Sequence, residues 1–225
     1  MSHQDDPYRT SAFRYQPVDQ TQNIANKQRV IDIMDQMVSA PPADLEAAIR
    51  TGLHADAKVN VTHPINELDS LEAIGEQLWK PLRHAIPDVE RRNDIVAGGL
   101  YRDGNWIGCV GHYVGTFEND WLDIPATRGV VAVRYAEGHE LRDGKIATSH
   151  LFIDFLDLMH QAGFWPLAPS LGREMRWLPP ATHDGVILTP QDGAVSQRTI
   201  ERILAMHNAL GYYSGEPPTL SLIHI

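Results

Sequence analysis

The residues best suited to acid/base chemistry lie in the stretch GHELRDGKIATSHLFIDFLDLMHQAG, residues 138–163. The pattern predicts a strand end, a turn at Arg-Asp-Gly-Lys, a second strand and an apolar helix. Alternate residues of an extended strand face the same side. The residues that share one side of the second strand are Ile146, Thr148, His150, Phe152 and Asp154. An imidazole and a carboxylate are therefore predicted on one face.

Asp154 is the predicted general acid and base. Beside Phe152 and Phe155 at the mouth of an apolar cavity, its carboxylate loses solvation and becomes able to remove a proton from a carbon flanked by two carbonyls. A structural interpretation competes with this one. An aspartate where a strand meets a helix caps the helix N-terminus by accepting backbone amide hydrogen bonds.

Three histidines are candidates to polarise or protonate a substrate oxygen. His150 lies four residues before Asp154, roughly 13 Å along an extended strand, so the two need a bulge to hydrogen-bond directly. His63 shares a parity with two valines and is predicted to point toward the core, and His112 also lies in a strand context. For each of the three, a core histidine bonded to a backbone carbonyl is the alternative.

Large aromatic side chains are predicted to line the ligand cavity. The candidates are Trp79, Trp106, Tyr113, Tyr135 and Phe152, with Trp121 as a further one. Aromatic walls suit a planar polycyclic ligand, but aromatics at alternating strand positions also form ordinary core.

Hydrophobic periodicity predicts helices before a run of strands. The predicted helices cover residues 22–38, 45–53 and 70–85, the last with Pro81 as a kink. The predicted strands cover residues 58–63, 88–98, 104–118, 127–141 and 145–153. This order indicates an α+β fold in which a curved, cone-shaped antiparallel sheet packs on helices. The cone's cavity is the predicted place for a small ligand.

The chain divides into four predicted parts. Residues 1–21 are a polar arm, 22–163 the α+β domain, 164–195 a proline-rich arm, and 196–225 a helix capped by Ser196 with an apolar tail. The pattern QRVIDIMDQM near the start recurs as QRTIERILAM in the last part. Either two unrelated amphipathic helices share this pattern, or a second copy of the domain begins here and is cut short.

The sequence resembles the SnoaL-like polyketide cyclase family of the cystatin-like, nuclear transport factor two-like superfamily. The resemblance rests on ADLEAAI, VNVTHP, AIPDVE, VGHYVGTFENDWLDIPATRGVVAV and DGKIATSHLFIDFLDLMHQAG, in this order and spacing. It implies a cone-shaped α+β barrel that dimerises through its sheet, and cofactor-free acid/base chemistry on a polyketide or similar carbonyl compound. By position it assigns the acid/base aspartate to Asp154 and the first-strand histidine to His63. Asp157, Leu158 and Met159 stand where many relatives have Gly-Leu-Leu.

Composition excludes several classes of function. A formal charge of -10 argues against a nucleic-acid partner. No histidine or cysteine spacing supports a metal site, and no glycine-rich loop supports a nucleotide cofactor, so we expect neither. Cys109 is the only cysteine, and the chain has no run of apolar residues long enough for a signal peptide or a membrane span. We expect a cytoplasmic protein.

Two hypotheses of different classes follow. The first is a cofactor-independent cyclase or isomerase that uses Asp154 and is helped by His63, His112 or His150. The second is a non-catalytic small-ligand-binding or scaffold module of the same fold, which an interior filled by tryptophan and tyrosine would favour. Homodimerisation fits both, because an open curved sheet must cover its outer face.

Overall fold

A computed structural model describes residues 17–169, 171 and 182–210 of the chain. The helices are α1 (Gln20–Ser39), α2 (Leu45–Gly52), α3 (Leu71–Ile74), α4 (Lys80–Ala85), α5 (Phe155–Gln161) and α6 (Gly193–Leu210). A short 3-10 turn (Pro42–Asp44) precedes α2, and a π-helical turn (Gly75–Trp79) joins α3 to α4. The strands are β1 (Leu53–Val61), β2 (Glu67–Leu68), β3 (Glu90–Tyr101), β4 (Gly104–Thr116), β5 (Val130–Arg142), β6 (Lys145–Ile153) and β7 (Gly185–Val186).

The described strands form one curved, unclosed sheet of seven strands in the order β2-β1-β6-β5-β4-β3-β7. The run β3 to β6 is an antiparallel meander, as predicted, whereas β1 pairs parallel with β6 and β7 parallel with β3. The pairing register shifts in β1, β3 and β5, and such bulges bend a sheet. The predicted α+β class with a curved sheet packed on helices is confirmed.

The helices before the meander cover the inner face of the sheet. Helix α1 is capped by Asp19, whose side chain accepts from the amide of Gln22, and it buries Val30, Ile33 and Met37. Pro81 is tolerated inside the predicted helix 70–85 because it stands near the start of α4, directly after the π-helical turn. The result is a core enclosed between α1 to α4 and the inner side of β3 to β6.

Two local predictions are wrong. His63 was expected in a strand pointing to the core, but β1 ends at Val61 and His63 is exposed in the turn that follows, where Ile65 donates to the carbonyl of Thr62. In β6 the register shift opposite Glu140 buries both Ile146 and Ala147. The parity of the strand therefore changes after the shift.

The residues from Pro190 onward belong to a separate compact unit. Helix α6 begins at Gly193, four residues before the predicted start at Gln197, because the side chain of Asp192 accepts from the amide of Ala194 and takes the capping position expected of Ser196. The predicted N-terminal arm up to Gln16 and the apolar tail beyond Leu210 lie outside the described residues. Within the described ranges, no helix has the length and apolar character needed to cross a bilayer.

Candidate functional site

Three of the predicted aromatic residues meet in the interior. Trp79 and Tyr113 make an edge-on contact with ring centroids 6.5 Å apart, and Tyr113 and Tyr135 lie 4.7 Å apart. None of the three is more than 2% exposed. Gly111 makes room for this packing, because a Cβ there would lie 2.5 Å from the hydroxyl of Tyr135. These three predicted lining residues therefore pack against one another in the core.

Four other predicted residues lie on the outer face of the sheet. Phe152 is 66% exposed, and His150 stacks on Trp106 with ring centroids 5.9 Å apart. His112 is buried on the same face, where its Nδ1 lies 2.9 Å from a carboxylate oxygen of Asp94. For His150 and Phe152 the reason is the register shift in β6, after which Ser149, Leu151 and Ile153 are the residues that face inward. His150 and Phe152 therefore do not face the interior with the tyrosines.

Asp154 lies at the junction of β6 and α5 and is partly exposed. Its Oδ1 accepts from the amide of Asp157 at 2.9 Å, and its Oδ2 accepts from Nη2 of Arg134 at 2.7 Å. Both carboxylate oxygens thus have partners, one in the helix and one in β5. The contacts present are those of a helix cap and an ion pair.

The inner face carries a buried polar network that our sequence analysis missed. Arg91 of β3 donates to Oε2 of Glu137 at 2.7 Å, and Tyr113 donates to Oε1 at 2.5 Å. His139 bridges the same carboxylate, at 3.2 Å from its Nε2, to the hydroxyl of Ser149, at 2.9 Å from its Nδ1. The side chains of Arg91 and Glu137 are at most 1% exposed.

The alternation of β5 contains the signal that locates this network. Val131, Val133 and Tyr135 predict the inward parity of the strand, and Glu137 and His139 continue it. A carboxylate and an imidazole on the core parity of a strand need partners. Arg91 of the neighbouring hairpin is that partner for Glu137.

The network fixes charge in a region that excludes water. Burial opposes the ionisation of Glu137, but the charge of Arg91 and the hydrogen bonds from His139 and Tyr113 outweigh it and lower the pKa of Glu137 to about 2. Burial raises the pKa of the Tyr113 hydroxyl far above its ordinary value and that of the Cys109 thiol to about 11. The carboxylate is therefore charged, and the phenol and thiol are neutral, at physiological pH.

Asp35 of α1 connects this network to solvent. Its Oδ1 lies 3.5 Å from Nη1 of Arg91, and its side chain is 48% exposed. Burial raises the pKa of Asp35 above its ordinary value, against the opposing influence of Arg91. Asp35 is thus a reachable carboxylate that takes up a proton more readily than an ordinary aspartate, next to a buried guanidinium.

The buried network is poorly suited to binding a metal ion. The donor atoms of Cys109, Glu137 and His139 lie within 4.8 Å of one another, which is a spacing that could hold a metal ion. However, the guanidinium of Arg91 already occupies Glu137 at 2.7 Å, and both nitrogens of His139 have partners. A positive charge beside a metal ion opposes its binding.

A solvent-open hollow of about 600 Å³ lies elsewhere, between the end of α4 and the loop from β4 to β5. It is lined by His84, Glu118, Asn119, Asp120, Ala126 and Arg128. None of the residues predicted to do chemistry lines it.

The fold is shared with solved structures of low sequence identity. A provisionally named SnoaL-like polyketide cyclase from Jannaschia sp. CCS1 is 17% identical, with a TM-score of 0.52 over 68% of this chain and 99% of that one. A provisionally named SnoaL-like polyketide cyclase from Shewanella putrefaciens CN-32 is 11% identical, with a TM-score of 0.51 over 67% of this chain and 97% of that one.

AclR from Streptomyces galilaeus, provisionally named a hydroxylase, is 12% identical, with a TM-score of 0.51 over 85% of this chain and 99% of that one. No family model matches the sequence, and no curated protein is significantly similar to it. The resemblance to the SnoaL-like family is therefore confirmed at the level of the fold. The neighbours carry names for more than one chemistry, and a shared fold does not define a reaction.

Proposed function

We propose that the protein is a cofactor-independent acid/base enzyme that acts on a carbonyl-containing small molecule, by aldol cyclisation or isomerisation. The observation that carries this proposal is the guanidinium of Arg91, which lies between buried Glu137 and half-exposed Asp35. Two structural neighbours with the same fold are named polyketide cyclases, which agrees with such a reaction.

Asp35 is the proposed base. A base works best when its pKa lies near the working pH, and burial moves the pKa of Asp35 in that direction. Arg91 is the proposed electrophile, because a fixed positive charge in a water-poor site stabilises the oxyanion that forms when a proton leaves the carbon beside a carbonyl. Glu137 holds Arg91 in place from the buried side.

The sequence predicts a different assignment, which remains a prediction. In it Asp154 is the base, and His63, His112 or His150 polarises the substrate carbonyl. These residues lie on the outer face or at the ends of elements, away from the interior network. The two assignments make different predictions, so one assay separates them.

The assay follows deuterium uptake at the carbon next to the carbonyl, for a panel of aryl ketones and 1,3-diketones in D₂O, by proton NMR. Wild-type protein is expected to exceed buffer, and Asp35→Asn is expected to lose about 10²- to 10⁴-fold of that acceleration. Asp44→Asn is the control, since Asp44 is an exposed aspartate outside α1. A loss in Asp154→Asn with full activity in Asp35→Asn would overturn the assignment of Asp35.

The second candidate is a non-catalytic small-ligand-binding or scaffold module. The mutual contacts of the buried side chains Trp79, Tyr113 and Tyr135 support it, because predicted lining residues pack against one another. If no ketone of the panel exchanges faster with wild-type protein than in buffer, the enzyme proposal is wrong and the non-catalytic module is preferred.

We propose the outer face as the surface of a homodimer, which fits both candidates. It exposes Phe152, Ile95 and Val110 by 66%, 52% and 38%. An exposed apolar sheet face gains stability when a second copy covers it. Sedimentation at micromolar concentration is expected to show a dimer that Phe152→Glu converts to monomer, and a wild-type monomer would contradict the proposal.

A further inference from the structure

Lys27 of α1 has an environment unlike that of the other lysines. It is only 8% exposed, and its amine donates to the backbone carbonyl of Ile187 at 3.2 Å. Within the described residues, no carboxylate is ion-paired with it. Lys58 is exposed, Lys80 pairs with Glu76, and Lys145 donates to the carbonyl of Arg50.

The protonation state of this amine follows from its partners. An ammonium ion carries three donors, and burying it with one neutral acceptor leaves a charge without a counter-ion. Loss of a proton removes that charge, and the neutral amine still donates to the same carbonyl and gains a lone pair. Burial lowers the pKa of Lys27, in agreement with this geometry.

The chain that covers Lys27 is a short strap, residues 182–189. It is held to β3 by the two-residue pairing of β7 and by His183, whose Nδ1 lies 2.7 Å from the carbonyl oxygen of Asn93. Gly185 permits the close approach, since a Cβ there would lie 2.3 Å from the carbonyl oxygen of Asp94. Among the described residues the strap pairs with β3 over two residues only, whereas the central strands pair along most of their length, so its local opening is easier than theirs.

We propose that Lys27 is a reactive lysine whose amine forms an imine with a small aldehyde or ketone that enters when the strap opens. The lone pair of Nζ adds to the carbonyl carbon, the carbonyl π bond opens, and the two amine hydrogens leave with the oxygen as water. A lysine in a desolvated site is the type of residue that performs this addition. The inference goes beyond the proposed function, because it needs neither Asp35 nor the interior network.

The test is borohydride trapping with butanal at neutral pH, followed by peptide mapping of the full chain. The chain has four lysines, so each adduct can be located. We expect Lys27 to be labelled several-fold faster than Lys58, and Lys27→Arg to lose that adduct while labelling of the other lysines is unchanged. Circular dichroism checks that the variant keeps its fold.

A second variant tests the role of the strap. Gly185→Val places a side chain against the carbonyl of Asp94, so it is expected to loosen the strap and speed the labelling of Lys27. Labelling that simply follows exposure, with Lys58 first and Lys27 last in both wild type and Gly185→Val, would overturn the proposal.

Discussion

Two of the arginine–carboxylate pairs, one on the inner face of the sheet and one at the start of α5, have the same separation but opposite surroundings. Arg91 and Glu137 lie 2.7 Å apart on the inner face, with side chains 1% and 0% exposed. Arg134 and Asp154 also lie 2.7 Å apart, at the junction of β6 and α5, with side chains 37% and 31% exposed. Distance alone does not distinguish a buried pair from one that water can reach.

The two pairs differ in whether water can solvate one charge after its partner has been removed. Solvent can replace the partner of Asp154, and such pairs contribute at most about 1 kcal/mol. Solvent cannot reach Glu137, so its charge depends on Arg91 and on its hydrogen bonds with Tyr113 and His139. The buried pair is therefore the more constrained of the two, and it is the one beside Asp35.

The largest effect is expected from Glu137→Gln. The amide has nearly the same shape but removes the buried carboxylate, which leaves Arg91 with only the half-exposed Asp35 at 3.5 Å as its counter-ion, so the free energy of unfolding should fall by about 3–5 kcal/mol. Urea unfolding measures this difference. Asp154→Asn is the matched control. An equal loss in both variants would contradict the claim that the buried pair contributes more to stability than the outer pair.

The buried pair of Arg91 and Glu137 is also expected to make the free energy of unfolding depend on pH. Glu137 has a pKa of about 2 in the folded protein and an ordinary value of 4.5 when unfolded. Its contribution to stability is present above the unfolded value and is lost as pH falls from that value through about 2, because the unfolded chain then binds the proton more strongly. Glu137→Gln should remove this part of the pH dependence, which denaturant titrations between these pH values measure.

A smaller effect is expected at the cap of α5. Asp154→Ala removes the acceptor for the amide of Asp157 and should cost about 1 kcal/mol. Asp154→Asn keeps an acceptor and should recover most of that loss. Thermal unfolding of the two variants measures the difference, and equal melting temperatures would show that the cap contributes nothing.

The smallest effect is expected from the outer ion pair itself. In a double-mutant cycle of Arg134→Met and Asp154→Asn, the coupling free energy should lie below about 1 kcal/mol and decrease with added salt. A coupling as large as the loss in Glu137→Gln would show that the outer pair is effectively buried.

The fold was predictable because it depends on patterns that repeat along the chain. The strands over 104–118 and 145–153 and the helix around residues 22–38 were located within a few residues, from alternation and from three-to-four spacing. The strand over 58–63 overlaps β1, but its parallel pairing with β6 and the parallel pairing of β7 with β3 were not predicted, because no local pattern records which distant strand a segment joins.

The site was less predictable because it depends on single-residue events. One bulge between β5 and β6 puts His150 and Phe152 on the outer face, and nothing in the local residues marks that bulge. The residues that meet Glu137 come from three strands, and their meeting is a property of the sheet order. The alternation of β5 indicates that Glu137 and His139 face inward. No sequence pattern indicates that Arg91 contacts Asp35 on α1.

The most direct test of the account is the titration of the Asp35 carboxyl, followed by carbon NMR in the wild-type protein. The account predicts that Asp35 titrates above the ordinary aspartate value of 3.8. An Asp35 that titrates at or below 3.8 would contradict it, because Arg91 would then hold the carboxylate as a simple ion pair with no tendency to accept a proton.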